Sequence, residues 1–166
     1  MAIERAEVRG SQRRAPADSR VIGSPDPTEV VIVTLMLRRK TASVPAAGSR
    51  IFTREEFAQR YGANPADLSV VEQFAAENDL TIFEVDLARR SVQLSGTIAN
   101  MNEAFATEVQ IFQSPRGTFR GRTGMLFVPT DLAEIVTGVF GLDERPQAQA
   151  HMRRVGMPTV SNAIDS

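Results

Sequence analysis

The 166-residue chain has no cysteine, no tryptophan, one tyrosine and one histidine. Without cysteine, disulfides, thiolate nucleophiles and Cys-based metal sites are excluded within it. A lone imidazole cannot build a His-rich metal site. Aromatic residues make up only 6%, so the core should be aliphatic with Phe plugs. No apolar run is long enough to span a bilayer. The opening MAIERAEVRGSQRRAPADSR lacks the apolar segment of a secretory signal. Neither sign of charge dominates: 19 Lys and Arg face 20 Asp and Glu, a formal net charge of −1. That balance argues against nucleic acid as a partner, and nothing points to a membrane.

What is present is an ordinary globular balance, 42% hydrophobic and 23% charged, in a length that suits one domain with flanking segments. The first twenty residues carry five Arg against three acids, and residues 1–27 read as a basic, flexible arm. VVIVTLMLRRK at 30–40 is β-branched and apolar and predicts a central strand buried on both faces. FTREEFAQRYG predicts a short helix: Thr53 caps, Glu56 completes the box, and Phe52 and Phe57 hold the staple positions. Asn64-Pro65 opens a second helix with Leu68, Val71, Phe74 and Ala75 on one face. TIFEVDL and SVQLSG alternate and predict a hairpin, with Phe83, Val85, Leu87, Val92 and Leu94 toward the core.

IANMNEAFA gives a further helix, EVQIF a fourth strand, SPRG a turn and TFRGR a short edge strand. Pro129-Thr130 predicts a last helix carrying Leu132, Ile135, Val136 and Val139, ended by Gly141 with Leu142 packing back. Apart from the short extra helix, the order is strand, helix, strand, strand, helix, strand. That is the α+β, ferredoxin-like split β-α-β arrangement, an antiparallel sheet with helices packed on one face. The chain then dissolves into RPQAQAHMRRVGMP, basic and without core residues.

Few constellations suit catalysis. His151 lies outside every periodic segment, so a Ser/His/Asp triad on it has no rigid frame. Glu55-Glu56 fits a helix first turn, and Glu84 with Asp86 fits the solvent side of a strand. SGT at 95–97 lacks the lysine and spacing of a P-loop. An RNA-recognition module would need aromatics in the central strands, and VVIVTLML and SVQLSG have none. Acylphosphatase-like or amino-acid-sensing uses of the fold stay open, because fold does not fix function.

Three stretches in order carry a resemblance: FTREEFAQRYGANPADLSVVEQFAAENDLTI, VQLSGTIANMNEAFATEV and TFRGRTGMLFVPTDLAEIVTGVFGLDERP. Together they resemble the activation (pro) domain of the sedolisin family of serine-carboxyl peptidases. The resemblance implies a ferredoxin-like domain over 28–143, and over 144–166 a linker toward a catalytic domain that is absent from the chain. It implies that the chain is not itself an enzyme, holds no cofactor (calcium belonging to the missing catalytic domain), and is exported with its parent peptidase. The cognate sedolisin catalytic domain, in cis or in trans, is the implied partner.

By matching position, PQAQAHMRRVGMP is the peptide threaded through that partner's cleft, with cleavage in the region of His151, Met152, Arg153 and Arg154. An extended segment can add its backbone to cleft strands, and only an exposed one can be cut. Arg38, Arg39, Arg120 and Arg122 are the candidates to pair with peptidase carboxylates. Acid would weaken such pairs, and His151, with a reference pKa of ~6.5, would gain charge on the same descent. The alternatives are a stand-alone ferredoxin-like regulatory or binding domain and, weakest, a self-sufficient enzyme.

Overall fold

The computed structural model describes residues 3–41, 48 and 51–146. Over these the chain runs through β1 (Arg5–Glu7), β2 (Arg20–Gly23), β3 (Val30–Leu37), α1 (Arg54–Tyr61), α2 (Pro65–Glu77), β4 (Thr81–Asp86) and β5 (Ser91–Thr97). It continues with α3 (Ile98–Ala104), β6 (Gln110–Ser114), β7 (Gly117–Gly121), β8 (Phe127–Pro129), α4 (Thr130–Ala133) and β9 (Val136–Phe140).

The principal sheet is antiparallel throughout, in the order β4-β5-β3-β9. Two crossovers, one through α1 and α2 and one through α3, place the first of its four strands between the third and the fourth. This is the ferredoxin-like order expected. Helices α2 and α3 cover one face. They bury Val71, Phe74 and Ala75 from α2 and Ile98, Met101 and Ala104 from α3 against Val31, Val33, Leu35, Leu37, Val92 and Leu94. Their closest aromatic contact is Phe74 with Phe105, ring centroids 5.5 Å apart.

The caps form as the residue types dictate. The Thr53 hydroxyl accepts from the Glu56 amide and the Glu56 carboxylate accepts from the Thr53 amide. Asn64 caps α2 with Pro65 behind it, and Thr97 caps α3. Helix α1 buries no side chain; Phe52 and Phe57 both lean on Tyr61.

Five expectations need correction. Strand β3 is not buried on both faces: Val31, Val33, Leu35 and Leu37 are core, while Val30 and Ile32 are exposed. A continuous apolar run does not distinguish a two-sided from a one-sided strand, and antiparallel sheets tolerate a wet face. The fourth strand of the sheet is β9, not the run EVQIF, which forms β6 in a separate sheet of order β2-β6-β7. The helix expected from Pro129 onward stops after one turn at α4. Val136, Thr137, Gly138 and Val139 are poor helix formers, and pairing with β3 outweighs their helical apolar spacing.

Phe83 and Val85 are exposed rather than packed inward. A register shift between Ile82 and Glu84 interrupts the alternation, leaving Ile82 and Leu87 against the core. Finally, the described part of the arm over 1–27 is built into the fold. Strand β1 pairs with β8 and β2 with β6, and Val8 is fully buried, its amide donating to the Leu126 carbonyl at 2.8 Å. Its Arg and Pro content masks one apolar residue that meets a partner more than a hundred positions away.

Candidate functional site

Because the helices cover one face of the principal sheet, the other is left open. Register places Thr34 opposite Phe140 and Gln93, Met36 opposite Gly138, and Ile32 opposite Ser95 on this side. Val30 is 63% exposed, Phe140 54% and Ile32 44%. The Phe140 ring lies along the face because Gly138 has no Cβ to hold it off. The result is an apolar ridge beside small hydroxyl and amide side chains, a surface able to pack against another protein. Among the described residues, no group of His, Cys, Asp and Glu is placed to hold a metal ion.

The four arginines singled out from sequence have different fates. Arg38, directly after β3, closes its guanidinium on Asp67: Nε donates to one carboxylate oxygen at 3.0 Å and Nη2 to the other at 3.1 Å. Asp67 is buried in the first turn of α2. The carboxylate's hydrogen bond, followed by its charge, raises Arg38 above the usual arginine value. Arg39 is exposed and has no ion pair among the described residues. It stands close enough to Arg90 to add its charge to burial in lowering that guanidinium.

Arg120, on β7, is a two-armed brace within the chain. Nη1 donates to Glu29 at 2.8 Å and Nη2 to Glu144 at 2.7 Å, while its Nε is buried without a partner among the described residues. Arg122 is only 2% exposed. It donates to the Gly124 carbonyl at 3.0 Å and the Ser11 carbonyl at 2.8 Å. Burial, then the charge of Arg13, hold it down to about 10. Of the four, Arg39 and the outer half of Arg38 are free to meet another molecule; Arg120 and Arg122 are spent on the fold.

Sequence reasoning did not find the partners Glu29, Asp67, Asp143 and Glu144, since each lies far along the chain from its arginine or reads as an ordinary surface acid. Past residue 143 the chain is still tied to the domain. Glu144 and Arg145 are anchored, Glu144 by Arg120 and Arg145 by Asp143. His151, Met152, Arg153 and Arg154 lie outside the described residues.

The candidate site is thus an open apolar sheet face with an exposed arginine just beyond β3. Comparison with known proteins gives this arrangement a family. The model of the pro-kumamolisin activation domain matches residues 17–145. Kumamolisin of Bacillus sp. (strain MN-32) is 35% identical over 117 residues, which span 70% of this chain and 21% of the relative's length. The chain belongs to the pro-kumamolisin activation domain family.

Proposed function

We propose that this chain is the inhibitory and folding-assisting propeptide of an acid-active, secreted serine-carboxyl endopeptidase. The observation that carries the reading is the family match over a domain whose sheet has one face filled by helices and one left open. The open face, with Val30, Ile32 and Phe140, docks on the catalytic domain, and burying it removes apolar area from water at roughly 25 cal/mol per Å². Arg39 and the outer half of Arg38 add charge pairing at one end of β3. The tail beyond Pro146 is then threaded through the active-site cleft, where tethering keeps it at high local concentration. Docking a preformed domain also lowers the ordering cost of its partner.

Acid release follows from charge pairing. A peptidase carboxylate held by arginine has a bound value below its free one. Its contribution is complete above the free value and is lost as pH falls through the bound value.

Mixing the chain with an active sedolisin and mapping the fragments by mass spectrometry tests the docking geometry. Cuts should fall only after Pro146, with the region of His151 to Arg154 cut first. Cuts distributed through residues 30–142 would show that the folded body is substrate and not lid, as a stand-alone domain with no peptidase partner would be.

A further inference from the structure

The residues just before the tail do not trail off the domain. Gly141 turns the chain at φ +111°, where a Cβ would stand 2.5 Å from the Ile32 carbonyl oxygen, and Leu142 is buried behind it. The Asp143 carboxylate then gathers several donors. It accepts from the Arg122 amide at 3.3 Å, the Arg145 amide at 3.0 Å and the Arg145 Nε at 2.8 Å, with Arg145 Nη2 on its second oxygen. Held in this way, Arg145 donates onward to the Arg14 carbonyl at 2.8 Å and the Arg122 carbonyl at 3.1 Å. On the other side the Glu144 amide donates to the Arg120 carbonyl at 2.8 Å. Three separate stretches meet here: the arm at 11–14, the chain leaving β7, and the root of the tail.

We propose that Asp143 is a positioning residue whose carboxylate locks residues 142–145 to the arm and to the end of β7. The lock sets where the tail leaves the domain, and protonating Asp143 releases it. The consequence for a peptidase rests on the function proposed above; the lock itself is a property of this chain alone. Arg145 from its own segment and Arg122 from the end of β7 face the carboxylate, and Arg13 from the arm lines the same cleft. Glu144 turns away to Arg120, which also holds Glu29. The carboxylate holds the Arg145 guanidinium directly and shares its cleft with those of Arg122 and Arg13. With it neutral, Arg145 loses the one carboxylate it holds among the described residues, and the three cations are left to repel one another.

The direction in pH follows from the same contacts. Burial raises the Asp143 carboxyl, but the hydrogen bond from the Arg145 side chain, those from the Arg145 and Arg122 amides, and the Arg145 charge outweigh it and hold the group below its ordinary value. A carboxyl depressed on folding stabilises fully above its unfolded value, ~3.9, and that contribution is lost as pH falls through the folded one. The root is held at pH 6 and let go in strong acid.

Amide exchange on the intact chain reads this directly, with the Arg122 and Arg145 amides as reporters. After correction for intrinsic rates, their protection should fall about tenfold or more between pH 6 and pH 2.5, the loss of a charge-assisted bond. Amides in the β3–β5 ladder should keep theirs. Asp143→Asn should show the acid pattern already at pH 6, and Glu144→Gln should not. If Asp143→Asn does not fold, the wild-type titration decides. Unchanged protection of both reporters down to pH 2.5, or equal loss across the β3–β5 ladder, would overturn the lock. Inhibition assays answer the other question: a chain that inhibits nothing yet shows the local exchange change keeps the lock and loses the peptidase reading.

Discussion

The ring of Phe140 lies over Gly138, so that a Cβ on residue 138 would stand 2.9 Å from it. Both residues sit on the open face of the sheet, and only side-chain atoms obstruct the new methyl. Gly138→Ala should therefore turn the ring away while sparing the core. We expect a thermal midpoint within a few degrees of wild type and about tenfold weaker peptidase binding, the cost of disturbing one aromatic anchor. Calorimetry and an inhibition titration on the same protein check the two halves.

Gly141 makes the opposite case. Its positive φ and the Ile32 carbonyl, which is backbone, leave an added methyl no escape. Gly141→Ala should destabilise the domain by about 1–3 kcal/mol, read as a lower urea midpoint with unchanged slope.

Arg38 and Asp67 should couple. Removing the arginine leaves a buried carboxylate without its fork, so Arg38→Ala should cost about 1–3 kcal/mol. The double variant Arg38→Ala/Asp67→Ala should be less destabilised than the sum of the singles. Additive losses in denaturant titration would show that the pair contributes nothing of its own.

The arm should matter to stability. Val8→Ala removes methyl groups from a fully buried site and is expected to cost about 1–2 kcal/mol by cavity formation. Deleting residues 1–10, which also unpairs β8, should cost more. A midpoint unmoved by the deletion would show that β1 and Val8 hold nothing.

Local signals were legible. Thr53 with Glu56, Asn64-Pro65 and the SPRG turn act within a few residues, and each produces the element its chemistry favours. The strand and helix order was legible too, because the periods of two and 3.6 are local. Long-range choices were not. Residues 136–140 carry a spacing that fits a helix, and only the vacant edge of β3 makes them a strand. The burial of Val8 and Arg122 likewise depends on partners about a hundred residues away. For the candidate site, the order of elements implied a sheet with helices on one face only and the sequence singled out four arginines, while their carboxylate partners and the residues that line the open face became visible only once the chain was folded.

Docking through the open face is put to the test by titrating this chain, beside its Ile32→Glu variant, into an active sedolisin. Inhibition should be nanomolar near neutral pH, weaken as pH falls toward 4, and drop at least about a hundredfold for Ile32→Glu, the cost of burying an unpaired charge in an apolar interface. No inhibition anywhere from pH 7 to pH 4, or equal inhibition by both proteins, would contradict it.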